Sequence, residues 1–239
     1  MINFVYDFMD DQYTEITRLA GGLAHEIRNP LSTIRLNIEL LSEDLEQVDS
    51  PQSRRAQQRI KVVQSECRRL ESLLDDFLRF TRADNPELLA GNVNNEIRDI
   101  IEFFRLKAEE SGIEVIAYLA SDLPSVLLDR GLFHQAMINL LLNAIQAMPN
   151  GGQLMISTRS GGNEIVIDLI DTGVGMDAKV LANLYAAFYS TKKGGSGLGL
   201  ATTQRIIKAH GGTISVQSEP NFGTKFTIMI PSLPRLAEK

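Results

Sequence analysis

The sequence has a single cysteine, Cys67, and three histidines, so little is available for cross-linking or for holding a transition metal. One thiol excludes an internal disulfide and fits a reducing, cytoplasmic compartment. Three scattered histidines and one cysteine provide no zinc-type ligand set. Long apolar runs are lacking as well. None approaches the roughly 20 residues that cross a bilayer, so no membrane segment is expected within the chain. Met1 to Met9 is apolar but carries Asp7 and no basic flank, which argues against a signal peptide. Positive charge is not in excess: 24 Lys and Arg against 30 Asp and Glu leave a net −6, and no broad nucleic-acid surface is expected. No Walker A run and no Rossmann fingerprint occur, and no internal repeat or low-complexity tract is visible.

What is present suits a soluble globular protein. With 44% apolar residues in 239, the chain can bury the cores of one large or two modest domains. From Ile16 to Leu45 the apolar residues Ile16, Leu19, Leu23, Ile27, Ile34, Ile38, Leu41 and Leu45 recur at steps of three, four or seven, which predicts a long amphipathic helix with one apolar stripe. Asp49-Ser50-Pro51 marks a turn. A second helix follows with Ile60, Val63, Cys67, Leu70, Leu74 and Phe77 as a heptad-like seam, which places Cys67 in a core rather than at a reactive surface. One hairpin cannot cover both stripes, but two copies forming a four-helix bundle can, so a homodimer is expected. Met1 to Thr14, with Phe4, Val5, Phe8 and Met9, reads either as a helix leading into the bundle or as an unstructured start.

Ala83-Asp84-Asn85-Pro86 breaks the pattern and divides residues 1–83 from 84–239. Beyond it, helices are predicted over Asn95 to Glu110, Leu132 to Met148 and Leu198 to Ala209. Strands are predicted over Ile113 to Leu119, Val126 to Asp129, Leu154 to Thr158, Glu164 to Ile170, Thr213 to Ser218 and Thr224 to Ile230. That order gives an α+β chain: an antiparallel helical hairpin, then an α/β sandwich of two layers.

Chemistry concentrates in five places. In Leu23-Ala24-His25-Glu26-Ile27-Arg28-Asn29-Pro30-Leu31, His25 faces away from the Leu23 stripe and Asn29 lies one turn along the same face. Glu26 can hold one imidazole N–H, fixing the tautomer whose other nitrogen attacks. Pro30 removes a donor and is expected to bend the helix there. In His134-Gln135-Ala136-Met137-Ile138-Asn139-Leu140-Leu141-Leu142-Asn143-Ala144, Asn139 and Asn143 put two amides on one helical face, donors suited to Mg²⁺. Asp171-Thr172-Gly173-Val174-Gly175-Met176 ends an apolar strand: Asp171 can accept from an exocyclic amine while Gly173 and Gly175 let backbone approach a flat base. Phe188-Tyr189-Ser190-Thr191-Lys192-Lys193 reads as a basic lid. Gly194-Gly195-Ser196-Gly197-Leu198-Gly199-Leu200 opens a helix, a setting that favours an anion. Taken singly, each has a plain structural reading as surface charge, turn, loop or packed amide. Their order within about 70 residues favours a nucleotide site. His134 and His210 read as structural, His210 in a last helical turn.

With those residues in view, the chain resembles the sensor histidine kinases of two-component signalling, over about residues 15 to 232. His25 to Leu31 is similar to the family's phosphoacceptor box, Asn139 to Asn143 to its N box, and Asp171 to Gly175 to its first glycine box. Phe188 to Lys193 is similar to its F box, Gly195 to Leu200 to its second glycine box, and Gly223-Thr224-Lys225-Phe226 to its last strand. The short lid and acceptor box look nearest to the nitrogen-regulation type. The resemblance implies a dimerisation and phosphotransfer hairpin followed by the ATP-binding fold shared with gyrase, the heat-shock chaperone of the ninety-kilodalton class and mismatch-repair ATPases. It implies ATP and Mg²⁺ as cofactors, His25 as phosphoacceptor, Glu26 as general base, Asn143 with Asn139 on Mg²⁺ and Asp171 on adenine. It also implies nucleotide contacts from Gly173, Gly175, Thr191, Lys192, Lys193, Gly195, Gly197, Leu198, Gly199, Leu200 and Thr224. An aspartate on a response-regulator receiver domain would take the phosphoryl group, and Asn29 would position water for its removal. Ala186-Ala187 depart from the family's Glu-Pro before the lid, which bears on lid stiffness and not on the reaction. Two rivals stay in play: a gyrase-type ATPase clamp, disfavoured because Asn139 stands where such enzymes look to carry a glutamate base, and a nucleotide-binding pseudokinase scaffold.

Overall fold

The computed structural model describes residues 27–45, 50–82, 86–192 and 195–234, and the chain separates into two compact units, Met1–Arg82 and Ala83–Lys239. His25, Glu26, Lys193 and the segment Met1 to Thr14 lie outside the described residues.

In the first unit, helix α1 (27–45) and helix α2 (Pro51–Arg82) form a hairpin. Ser50 starts α2: its hydroxyl accepts from Ser53 N–H at 3.0 Å, and Pro51 follows in the first helical turn, where a missing N–H is harmless. The end of α1 is capped in turn, with the Leu45 carbonyl accepting from Ser53 Oγ at 2.7 Å and Gln57 Nε2 at 3.1 Å. Arg28 reaches Asp75 at 2.6 Å and Arg35 reaches Glu71 at 3.7 Å, so residue numbers rise on one helix as they fall on the other. The two are antiparallel.

Packing within the hairpin follows steps of seven. Leu31 is buried, with Ile38 and Leu45 half-buried behind it; on α2, Ser53, Ile60, Cys67 and Thr81 are buried and Leu74 half-buried. The expected single stripe on α1 is therefore two. Ile27, Ile34 and Leu41 form a second row that is 41%, 46% and 50% exposed, and on α2 Val63 and Leu70, also seven apart, are 45% and 49% exposed. A row of step seven drifts by about 20° per heptad on a straight helix, so rows three and four residues apart merge when read as one stripe.

The second unit begins with the strand β1 (Leu89–Gly91), which pairs antiparallel with β3 (Val126–Leu128) in a small two-stranded sheet. Between them lie α3 (Val93–Glu110) and β2 (Ile113–Leu119). After them come α4 (Arg130–Ala147), β4 (Gly152–Ser160), β5 (Glu164–Asp171), the short α5 (Ala178–Ala182), α6 (Gly199–Ala209), β6 (Thr213–Glu219) and β7 (Gly223–Pro231). The main sheet runs β2-β4-β5-β7-β6, with β2 and β4 parallel and every other pair antiparallel. Neither β1 nor α5 was expected from the sequence; three and five residues are too short to show a period.

One face of the sheet supplies the core. Leu154 and Ile156, Ile165, Ile167 and Leu169, and Phe226, Ile228 and Ile230 alternate inward along their strands and meet α3, α4 and α6. From α4 come Phe133, Ala136, Met137, Leu140, Leu141 and Ala144, all buried. Asn92 caps α3, accepting from the N–H groups of Asn94 and Asn95. Asp129 caps α4, accepting from Leu132 N–H at 3.0 Å.

His210 ties the two central helices together. Its Nδ1–H donates to the Ile206 carbonyl at 2.7 Å, which leaves Nε2 to accept from the Asp129 N–H at 3.0 Å. The ring is buried, so its removal strands a backbone donor at the start of α4. His210→Ala is expected to lower stability by about 1–3 kcal/mol, the cost of an unpaired buried group plus lost packing. Thermal unfolding of the two proteins side by side checks this, and equal melting temperatures would remove His210 from the joint.

Candidate nucleotide site

β5 lies at the centre of the sheet, and its last residue, Asp171, points into the same face as Ile165, Ile167 and Leu169. Asp171 is 6% exposed. Burial pushes its pKa up from the ordinary carboxylate value, while the backbone N–H groups of Gly173 and Thr224 pull the other way. The Gly173 bond is 2.9 Å. Beyond it the chain turns through Gly175 at φ +64°, where a Cβ would run into the Glu219 carbonyl, so only glycine lets the turn lie against the β6–β7 hairpin. Ser218 braces that contact: its hydroxyl accepts from Met176 N–H at 2.9 Å, donates to the Gly223 carbonyl at 2.8 Å and lies 2.9 Å from Thr224 Oγ1. Thr224 is buried beside Asp171 in the ladder.

Asn139, Asn143 and Gln146 follow one another at steps of four and three on α4, so they share a face. Asn139 Nδ2 donates to the Gly199 carbonyl at 3.1 Å and approaches Thr203 Oγ1 at 3.5 Å. Its Oδ1 takes part in neither bond. Asn143 Oδ1 accepts from the Lys192 ammonium at 2.8 Å, and Gln146 Oε1 accepts from the same ammonium at 2.5 Å. The ammonium is partly stripped of water between these amides, which lowers its pKa. An oxygen that already draws a cation, beside a second neutral oxygen one turn away, fits a hydrated divalent ion whose other ligands are waters and phosphates.

The loop joining Tyr185 to α6 carries the rest of the predicted residues. Phe188 has φ +65° and its N–H donates to the Gly197 carbonyl at 3.1 Å. Gly197 returns the constraint, because a Cβ there would sit 2.5 Å from the Phe188 carbonyl carbon. Thr191 and Gly195 are exposed on this loop. The Tyr185 hydroxyl, buried with no partner among the described residues, is pushed up to about 12 by burial and stays protonated.

Leu198 is buried and stands before α6 without making a side-chain cap. The first bond back to its carbonyl comes from Thr202 N–H at 2.8 Å, so the N–H groups of Gly199, Leu200 and Ala201 have no partner inside the helix. Such an end attracts an anion. Asn139 binds the first carbonyl of the same turn, which brings the amide face of α4 and the donor end of α6 together. Asp171, Gly173, Gly175 and Thr224 form a second group at the end of β5. Asn29 belongs to the other unit, exposed on α1, where its carbonyl accepts from Thr33 Oγ1 at 3.2 Å.

Sequence reasoning missed Gln146, Ser218 and Thr203. The first was readable, since it continues the step from Asn139 through Asn143. Ser218 and Thr203 act through contacts 42 and 64 residues away in the chain and carry no local signal.

Residues 15–86 match the His Kinase A (phospho-acceptor) domain, and residues 128–234 match the histidine kinase-, DNA gyrase B- and HSP90-like ATPase family. Sporulation kinase E of Bacillus subtilis is 33% identical over 90% of this chain and 28% of its own length. The sensor histidine kinase ZraS of Escherichia coli is 32% identical over 92% of this chain and 46% of its own. The chain thus spans about a quarter to a half of these relatives. Among solved structures, full-length ShkA in complex with AMPPNP is similar over 92% of this chain and 47% of that one, with a TM-score of 0.72 and 26% identity. The catalytic domain of histidine kinase ThkA, nucleotide free, is similar over 61% of this chain and 96% of that one, with a TM-score of 0.56 and 28% identity. With the phosphoacceptor domain followed by the ATPase domain, the chain belongs to the two-component sensor histidine kinases.

Proposed function

We propose that the chain is an ATP-dependent protein histidine kinase that phosphorylates itself on His25 and passes the phosphoryl group to an aspartate of a response-regulator receiver domain. The observation that carries this reading is the meeting of the α4 amide face with the donor end of α6, in a chain whose first unit matches a phosphoacceptor domain. ATP lies with adenine at Asp171, Gly173, Gly175 and Thr224. Its phosphates lie toward Lys192, Lys193 and the N–H groups that open α6 near Gly197, Leu198, Gly199 and Leu200, with Thr191 and Gly195 on the loop above them. Asn143 and Asn139 hold Mg²⁺, whose chemistry when bound is to neutralise charge on the phosphates.

The unprotonated imidazole nitrogen of His25 attacks the γ-phosphorus, the bond from that phosphorus to the β–γ bridging oxygen breaks, and ADP leaves with the electron pair. Glu26 holds the N–H on the other nitrogen and takes its proton. A loose transition state asks mainly for alignment and charge stabilisation, which backbone N–H groups, amides and a lysine provide. Asn29, exposed on α1 and four residues beyond His25 in the sequence, positions water for dephosphorylation of the partner. Transfer requires the nucleotide unit to reach His25. Use of ATP and one buried free thiol suit a cytoplasmic setting, and the acceptor box and short lid favour the nitrogen-regulation type.

A gyrase-type clamp would hydrolyse ATP with no label left on protein, and a pseudokinase would bind without turnover. γ-Labelled ATP is expected to leave acid-labile, alkali-stable label on the wild type and none on His25→Gln. An unlabelled wild type with normal ATP turnover would instead support the clamp.

Adenine recognition by Asp171 needs the ionised carboxylate as acceptor. Because burial holds its pKa above the usual carboxylate range, ADP affinity is expected to be full at neutral pH and to fall on acidification sooner than an ordinary carboxylate would allow. Folding runs with the opposite sign: a carboxyl raised in the folded state gains stability as pH falls through its own value. Asp171→Asn is expected to weaken ADP by roughly 10- to 100-fold, the range for a bond to a charged group. Calorimetric titration across pH measures both, and an affinity that ignores pH would unseat Asp171 from the base.

The homodimer uses the second row of the hairpin. Val63→Glu with Leu70→Glu places charges on positions already half open to water in the single hairpin, so the fold is kept while the interface is lost. Sedimentation is expected to show a dimer for the wild type and a monomer for the double variant. A dimer in both would move the interface elsewhere.

A further inference from the structure

The loop that carries Lys192 is tied down at three levels. At its root, Phe188 N–H donates to the Gly197 carbonyl at 3.1 Å. In its turn, Lys192 N–H donates to Ser190 Oγ at 3.1 Å, and Gly195 N–H donates to the Lys192 carbonyl at 3.3 Å. At its tip, the ammonium bridges Asn143 Oδ1 and Gln146 Oε1. Two bonds from a full positive charge to aligned amide oxygens make the strongest polar attachment between this loop and α4.

Asn143 Oδ1 is also the oxygen to which the proposed function assigns the metal. An ammonium and a divalent cation cannot share that oxygen at bonding distance, because like charges so close repel strongly. We infer that Lys192 is a resident stand-in cation on α4, anchored by Gln146, so that nucleotide entry exchanges one cation for another and releases the lysine toward the phosphates. This rests on the proposed ATP site, whereas the latch itself stands on the contacts of Lys192 with Asn143 and Gln146. Gln146 is then a positioning residue: it acts through Lys192 and sets how readily the loop lets go. The exchange also keeps the amide face satisfied between turnovers, when no ion neutralises it.

Gln146 is exposed, so its substitution leaves the core untouched. The full chain, free of nucleotide and with a chelator present, is compared by hydrogen–deuterium exchange over residues 187–198 in the wild type, Gln146→Leu and Gln146→Glu. Losing one of the two bonds is expected to speed exchange of the segment by roughly two- to ten-fold in Gln146→Leu. A carboxylate in the same place is expected to slow it, since the bond becomes charge-assisted on both sides. Stopped-flow association of a fluorescent ADP analogue with Mg²⁺ is expected to follow the same order, faster for Leu and slower for Glu. Exchange rates equal in all three proteins, or shifted the same way by Leu and Glu, overturn the latch. Exchange that shifts as expected while association does not overturns the cation exchange. Failure of the wild type to bind the analogue at all overturns the ATP site, and is distinguished because the exchange measurement needs no nucleotide.

Discussion

The nucleotide unit is organised around one buried carboxylate. Placing Asp171 at the core-facing end of β5 removes a charge from water, a cost of several kcal/mol unless nearby donors replace the lost hydration. Those donors are backbone N–H groups, which cannot come closer unless the chain itself does. Gly173 therefore follows two residues later with its N–H turned back on the carboxylate, and β7 begins at Gly223, where a Cβ would collide with the Asp171 carbonyl. The turn that results presses Gly175 on Glu219 and requires Ser218 to bridge Met176, Gly223 and Thr224. The recurring glycines of this region, read in the sequence as letting backbone approach a flat base, are close contacts between backbones. They make the end of the central strand rigid.

The hairpin obeys a different arithmetic. Its interior is filled by residues seven apart on each helix, Leu31 and Ile38 on α1 and Ile60, Cys67 and Leu74 on α2. A helix paired with one neighbour can bury one such row. The second row on each helix is as apolar as the first, yet the hairpin alone leaves it about half open. Cross-helix ion pairs, Arg28 with Asp75 and Arg35 with Glu71, add register rather than much stability, since both pairs face water. The apolar surplus is what a second copy would cover.

How far the sequence announces all this depends on the length over which each signal acts. Strand Gly223–Pro231 buries alternate residues over most of its length, while Glu164–Asp171 is a short apolar run buried on both faces, and both patterns are local, so their positions could be read directly. The amide step on α4, the Asp-Thr-Gly turn and the glycine run before α6 were equally legible because each is a short segment with its own chemistry. The two rows of α1 were not separable, because their offset becomes visible only against α2. Strand β1 is three residues with Leu89 largely exposed, and its existence depends wholly on pairing with Val126 to Leu128. Gln146 showed the right spacing, but its role comes from a lysine 46 residues away. The left-handed Phe188 is likewise set by Gly197, not by its own neighbours.

The composition of the site also bears on the proposed transfer. The groups gathered around α4 and the start of α6 are amides, backbone N–H groups and a lysine. Such groups bind and align phosphates. The sequence contains three histidines, His25, His134 and His210. His210 is buried with Nδ1 donating to Ile206 and Nε2 accepting from Asp129, so both ring nitrogens are committed to the joint between α6 and α4. His134 is held 2.7 Å from Glu96, a carboxylate also bonded by Arg130, in the contact between α3 and α4. Freeing His210 would strand a backbone donor at the start of α4. The remaining histidine, His25, lies in the segment that matches the phosphoacceptor domain. On the proposed function, the ATPase-like unit supplies alignment and charge stabilisation, while the segment that matches the phosphoacceptor domain supplies the imidazole.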